Sequence, residues 1–281
     1  MSWSCFEVEV ADQVAHVRLS RPDELNTMVR AFWNELPRIV RELDAGGDVR
    51  AMVLSSTGRH FCAGMDLGVF GSNDNGLGTG DGGETGRVRA QLRQTALMLQ
   101  DSFTSFEKAR FPVLAAVQGG CIGGGVDMVC AADMRYATAD AFFVIQEINI
   151  GMTADVGTLQ RLPKLIPDGV ARELAYTGRR LTAGRAVELG LVNEVFATQE
   201  DMLESVLATA REIASKSPLA VWGSKEMLLY ARDHTVADSL DHIATWQTGM
   251  FQPGDMLEAF TAKGDGRDPR FPDLLPAPDE F

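Results

Sequence analysis

The sequence has little histidine or cysteine, no long apolar run and no excess of positive charge. Each shortage excludes something. The four histidines, His16, His60, His234 and His242, fall at no i, i+3 or i, i+4 spacing, so no metal site built on a helical histidine pair is expected. The four cysteines, Cys5, Cys62, Cys121 and Cys130, show no C-x-x-C spacing. They read as small buried thiols in a reducing compartment, not as a disulfide framework. The longest apolar runs, Val113–Val117 and 141–145, are far shorter than the ~20 residues that span a bilayer. The first ten residues place no basic stretch ahead of an apolar one, which is not the pattern of a secretory signal. These readings lead to the expectation of a cytoplasmic protein with no membrane partner. Lys and Arg total 26 against 39 Asp and Glu, a net charge of -13. A field of that sign opposes nucleic acid and anionic membranes, and any polyanionic ligand would need local donors working against it.

What is present is an ordinary globular composition, 45% hydrophobic and 23% charged over 281 residues. That length suits one large domain, or one domain with an appendage. The first half alternates strand and helix signals. Phe6, Val8 and Val10 alternate with acids, Ala11-Asp12-Gln13 can turn, and Val14–Leu19 alternates again, predicting a hairpin with one wet face. Met28, Phe32, Leu36, Ile39, Val40 and Leu43 recur at helical spacing up to Gly46-Gly47, with Pro37 expected to kink that helix. Residues 49–54 suit a buried strand. Residues 71–86 hold seven glycines in 16 positions and predict a mobile loop or lid. Val88, Leu92, Ala96, Leu99, Phe103 and Phe106 form an amphipathic helical pattern, and strands are predicted at Val113–Val117, Met134–Thr138 and 142–145. Beyond Gly151 the chain turns mostly helical. Thr182 reads as an N-cap and Gly190 as a stop, and Ser217-Pro218 places a cap before a first-turn proline. The last ~80 residues carry no strand signal and read as a helical appendage suited to packing on a neighbour.

Two features carry chemistry. The triplet Gly123-Gly124-Gly125 opens a helix at 126–131. Backbone N–H groups at such a turn can approach a ligand closely and point toward negative charge, so the turn can hold an oxyanion or a phosphate. It is not a P-loop, since no Lys-Ser/Thr follows, and not G-x-G-x-x-G. A plain close-packing turn also accounts for it. The second feature is a set of three acids, Asp127, Glu147 and Asp155, each among apolar or small neighbours. Desolvation and like charge raise carboxyl pKa values toward the range useful for proton transfer. Taken singly, each could equally be a cap or a paired structural acid.

Three motifs together, Ala63-Gly64-Met65-Asp66-Leu67, Gln118-Gly-Gly-Cys-Ile-Gly-Gly-Gly-Val-Asp127 and Phe142-Phe-Val-Ile-Gln-Glu147, resemble the signatures of the crotonase (enoyl-CoA hydratase/isomerase) superfamily. With Ala154-Asp-Val-Gly-Thr-Leu-Gln-Arg-Leu-Pro163 added, the chain is most similar to the dienoyl-CoA isomerases within it. The likeness runs from about Phe6 to about Met250. It implies an α/β fold, a crotonase-like ββα spiral core with a helical C-terminal trimerisation region, here 1–200 and 201–281. It also implies a homotrimer or a hexamer built as a dimer of trimers.

Residue by residue, the resemblance implies an oxyanion hole from the backbone N–H groups of Met65 and Gly124, holding the thioester oxygen of an acyl-CoA. Ala63, Gly64, Met65, Asp66, Leu67 and Gly124 would bind the substrate and its CoA moiety, with no separate cofactor and no metal. The two positions that hold water in hydratases are Asp127 and Glu147 here, and Asp155 is the extra acid of the dienoyl isomerases. The implied reaction, a step of fatty-acid β-oxidation, turns a 3,5-dienoyl thioester into the conjugated 2,4-diene. A proton leaves C2 and another arrives at C6, which calls for an acid or base at each end. Glu147 is expected to remove the C2 proton, Asp155 to deliver one at C6, and Asp127 to stand back and tune Glu147 or hold a water. A 2-enoyl-CoA hydratase is the nearest alternative. A non-catalytic RNA-binding or scaffold member is disfavoured by the lack of a basic stripe. Arg59 and Lys108 are candidate partners of the CoA phosphates.

Overall fold

The computed structural model of the protein describes residues 3–66, 68–71 and 85–278. Most of the glycine-rich stretch, residues 72–84, and Leu67 therefore lie outside the described residues. β1 (Phe6–Ala11) and β2 (Val14–Leu19) form the expected hairpin, paired from Phe6↔Leu19 to Ala11↔Val14. Asp12 and Gln13 between them both take positive φ, the backbone that a two-residue turn needs to match the twist of its strands.

α1 (Arg30–Ala45) buries Phe32, Leu36, Ile39 and Val40, the stripe read from spacing. The helix runs unbroken through Pro37. Proline has no N–H for the carbonyl four residues back, and that carbonyl, of Trp33, instead accepts from Ser102 Oγ at 3.3 Å. Met28 falls before α1, in an isolated parallel bridge to Met65. The buried strand β3 (Ala51–Ser56) begins two residues later than its apolar run.

α2 (Gly68–Gly71) and α3 (Thr85–Lys108) lead to β4 (Val113–Val117), β5 (Gly120–Ile122), α4 (Gly124–Ala131), β6 (Met134–Thr138) and β7 (Phe142–Val144). Then come α5 (Thr158–Arg161), α6 (Asp168–Thr177), β8 (Leu181–Thr182), α7 (Ala183–Glu188) and β9 (Glu194–Phe196). β8 and β9 are too short for a periodic signal and escape the sequence pattern. The first sheet runs β1-β2-β3-β4-β6-β9, parallel beyond the hairpin, and the second β5-β7-β8. Each pass of the chain thus lays one strand in each sheet: β4 then β5, β6 then β7. The Cys62↔Cys121 bridge brings the segment after β3 alongside β5 in the same way. The result is a coil of β-β-α turns.

Alternate residues of β3 face opposite sides, as pleating requires. Met52 and Leu54 join the large core with α1, α3 and α4, which also encloses the four free cysteines. Ala51 and Val53 face a second core with Met202, Val206, Ala210 and Ala214 of α8 (Gln199–Ala214). α8 therefore lies on the sheet as part of the globule. The remaining helices, α9 (Pro218–Asp233), α10 (Val236–Met250) and α11 (Pro253–Asp265), bury little and expose Leu228, Val236, Leu240, Leu257 and Phe260. Thr182 and Ser217 cap α7 and α9 as expected, accepting from Arg185 N and Ala220 N. The amphipathic pattern of α3 is only half used. Phe103 and Phe106 are buried, while Val88 and Leu92 are exposed, because no described element lies beside the first turns.

Candidate active site

The segments that follow β2, β3, β5 and β7, together with Trp33 of α1, line an open cavity of about 710 Å3. Its lining includes Ala63, Gly64, Met65, Asp66, Gly123, Gly124, Glu147 and Asp155, so residues more than 90 positions apart in sequence meet around one space. Asp127 is not among the lining residues.

One wall is backbone. Met28 N donates to Gly64 O at 2.8 Å and Asp66 N donates to Met28 O at 3.1 Å. A residue between two such bonds in a parallel bridge turns its own N–H to the other side, which for Met65 is the cavity side. Opposite it, α4 starts at Gly124 with Gly123 as its N-cap at φ 53. The first N–H groups of a helix have no intrahelical acceptor, so the Gly124 amide is left to a ligand. The two segments are in van der Waals reach: a Cβ on Gly64 would lie 3.7 Å from Gly124 N. The glycine triplet also serves close packing. A Cβ on Gly124 would come 2.8 Å from Met28 Sδ, and one on Gly125 3.2 Å from the Cys62 carbonyl oxygen. The packing and the ligand-binding readings of the triplet are thus compatible, since the same approach that needs glycine exposes the amide.

The other wall is acidic. Glu147 follows β7 and starts a short 3-10 turn, Glu147–Ile150. Burial pushes its carboxyl up to about 7, with the nearby Asp127 charge adding to the rise. Its carboxylate faces the glycine turn, where a Cβ on Gly123 would sit 3.3 Å from Glu147 Oε1. Asp155 lies in the loop before α5 and is the most exposed of the three acids. Partial desolvation raises its pKa too. Asp127, inside α4, is fully buried. Its Oδ1 accepts from Thr158 N at 2.6 Å, while Oδ2 has no hydrogen-bond partner. Desolvation lifts it to about 6, against the lowering effect of the Thr158 bond. The pKa of each of the three acids is thus raised by burial, as their surroundings in sequence suggested.

The sequence pattern missed the apolar lining: Trp33, Ile122, Ile150, Met152 and Val156. Trp33 sits beside Phe32 among the buried residues of α1, outside the stripe read from spacing. Only the fold reveals that it also faces the cavity. Neither Arg59 nor Lys108 lines the cavity, and Lys108 instead pairs with Asp101 at 2.5 Å. No group of three or more His, Cys, Asp or Glu suited to a metal ion occurs among the described residues. No helix among them is long and apolar enough to cross a membrane.

Comparison with known proteins agrees with this architecture. The solved structure of an enoyl-CoA hydratase from Bacillus anthracis superposes with a TM-score of 0.85 at 30% identity, covering 95% of this chain and 99% of that one. The mitochondrial Delta(3,5)-Delta(2,4)-dienoyl-CoA isomerase of Mus musculus is 45% identical over 256 residues, 91% of this chain and 77% of its own. The peroxisomal enzyme of the same name from Arabidopsis thaliana is 41% identical over 261 residues, 93% of each chain. Residues 9–273 match the enoyl-CoA hydratase/isomerase family model. The α/β spiral is the crotonase fold implied by the motifs, and the chain belongs to the enoyl-CoA hydratase/isomerase family.

Proposed function

We propose that the protein is a Δ3,5-Δ2,4-dienoyl-CoA isomerase acting on an acyl-CoA thioester. The observation that carries the reading is the sharing of one cavity by two carboxylates, Glu147 and Asp155, and by the backbone of Met65 and Gly124. The similarity to isomerases of that name supports it.

The thioester oxygen accepts from Met65 N–H and Gly124 N–H, while Ala63, Gly64 and Asp66 run along the CoA moiety. Glu147 takes the proton from C2. Its raised pKa makes it a stronger base than an ordinary carboxylate once ionised. The negative charge spreads from the thioester oxygen along the diene. Two amides aimed at that oxygen supply several kcal/mol of stabilisation, and they keep their orientation because they belong to a helix start and a bridged strand. Asp155, protonated more readily than a free aspartic acid, gives a proton to C6, and the 2,4-diene leaves. Glu147 has then gained a proton and Asp155 lost one, and exchange with solvent resets both. No cofactor enters this sequence. Asp127 touches neither reacting carbon and acts on Glu147 through its charge.

The hydratase alternative needs Asp127 and Glu147 to share a water over the substrate. Asp127 is fully buried and does not line the cavity, which favours the isomerase. The test is incubation with 3,5-dienoyl-CoA, followed by ultraviolet absorbance of the conjugated product, beside hydration of 2-enoyl-CoA. Fast hydration without the diene shift would overturn the proposal.

The exposed apolar residues of α9, α10 and α11 support assembly as a homotrimer or a dimer of trimers, which sedimentation equilibrium measures. A cytoplasmic location is part of the same proposal. Relatives are named as mitochondrial or peroxisomal, and fractionation of the source cells distinguishes these addresses.

A further inference from the structure

The two proton stations are held in different ways. Glu147 starts a short 3-10 turn three residues past the end of β7, whereas Asp155 rides on a loop with no regular backbone pairing. Among the described residues no other side chain hydrogen-bonds the Asp155 carboxylate, which is paired only with its own backbone. The position of that acid therefore depends on what fixes the loop.

The fixing points come from α3. Gln100 Nε2 donates to the backbone carbonyl of Asp155 at 2.7 Å. One turn on, Thr104 Oγ1 accepts from Arg161 Nη2 at 3.0 Å, and Glu107 pairs with the same guanidinium at 2.8 Å. Gln100, Thr104 and Glu107 stand at i, i+4 and i+7, one stripe of the helix. Arg161 in turn packs against Gly157, where a Cβ would lie 2.0 Å from its Nη1. The Arg161–Glu107 pair, nearly buried on both sides, anchors the far end of the loop. Gln100 is the one member of the stripe that bonds Asp155 itself.

We infer that Gln100 is a positioning residue for the distal proton transfer: by holding the Asp155 carbonyl it sets the Asp155 carboxyl over C6 and leaves the chemistry at C2 untouched. This rests on the isomerase reading given above. The two half-steps can be read separately. Removal of the C2 proton by Glu147, followed by return of a solvent-derived one to C2, exchanges C2 hydrogen for deuterium in D2O without net reaction. Delivery of the proton from Asp155 to C6 completes the isomerisation. A displaced Asp155 slows only the second, so the dienolate falls back to C2.

The experiment uses full-length protein and 3,5-dienoyl-CoA in D2O, with C2 deuterium followed by mass spectrometry and diene formation by absorbance. Gln100→Met removes the donor at similar size, and Gln100→Glu replaces it with an acceptor facing the carbonyl. Each is expected to lower isomerisation at least ~10-fold, since a 1 Å misplacement costs on the order of 10²-fold, with C2 exchange within about twofold of wild type. Parallel loss of both rates in either variant marks a general structural role and overturns the inference, as does unchanged isomerisation. A wild-type protein that isomerises beside variants without the split overturns the inference alone. A wild-type protein that does not isomerise overturns the functional reading and the inference with it.

Discussion

The two sides of the cavity differ in what holds them. On the Glu147 side, the acid, the glycine turn and the Met65 strand are joined by backbone hydrogen bonds: Gly123 N to Val144 O, Ile122 N to Cys62 O, Met28 N to Gly64 O. On the Asp155 side, the acid hangs on a loop tied by side chains of α3 and α5. Backbone ladders in a buried core open only with global unfolding, while exposed loop contacts open locally at far lower cost. The half that holds the proposed base is therefore part of the fold's framework, and the half that holds the proposed acid is adjustable without rebuilding it. A family that hosts several reactions on one spiral can vary the second side and keep the first.

The sharpest way to break this contrast is Glu147→Gln, which removes the proposed base from the rigid side. Both isomerisation and C2 exchange are expected to fall by ~10²- to 10⁴-fold, the usual range for a positioned acid or base, as measured by diene absorbance and deuterium uptake. Retention of C2 exchange would place the base elsewhere.

Asp155→Asn acts on the adjustable side alone. Isomerisation is expected to drop by ~10²-fold or more while C2 exchange persists. A variant that isomerises normally would remove Asp155 from the mechanism.

The pH dependence sharpens the same comparison. Glu147 works as a base only when ionised, and its pKa is pushed up to about 7. C2 exchange should therefore rise with pH and reach half its plateau near pH 7. Asp155 works as an acid only when protonated, and burial raises its pKa above the ordinary aspartate value, so isomerisation should lose rate as pH rises through that raised pKa. Asp155→Asn should keep the rising limb of C2 exchange, and its residual isomerisation should no longer fall as pH rises.

The smallest effect concerns Asp127, which belongs to the rigid side without touching the cavity. Asp127→Asn removes a like charge from Glu147 and should move the rising limb of C2 exchange to lower pH. It should also change stability. The native state raises the Asp127 pKa from 3.8 to about 6, so it binds that proton more tightly than the unfolded chain. Stability is therefore lost as pH rises from about 4 through 6, by ~3 kcal/mol at most. The Asn variant should gain stability relative to wild type at pH 8 and lose that gain by pH 4, in urea unfolding at the two values. An equal difference at both would show that folding does not shift the Asp127 pKa.

Much of this site is legible in the sequence because its pieces are local. Gly123 to Gly125 need only a tight turn and a helix start, and the Asp127 and Glu147 surroundings, Val126, Met128 and the 142–145 run, are read directly. The Pro37 kink was expected from the same local rules and does not break α1, since Ser102, 65 residues later in the chain, takes the freed carbonyl. The expected face of α3 failed at Val88 and Leu92 because helical spacing specifies a face and says nothing about whether a neighbour covers it. β8 and β9, at two and three residues, hold their place through pairing with β7 and β6, and no periodicity marks so short a strand.

The sequence by itself determined the alternation of strand and helix in the first half, the glycine turn and the three acids, since each rests on residue type and spacing within a few turns of chain, and its motifs taken together pointed to the family. Tertiary structure alone decided that Asp127 turns away from the cavity while Glu147 and Asp155 line it, that Trp33 serves both core and cavity, and that α8 is core while α9 to α11 leave apolar side chains in solvent. The physical reason is range. Propensity and spacing act along the chain, but desolvation, free amides and the partners of Gln100 are set by groups that come close only when the strands are stacked.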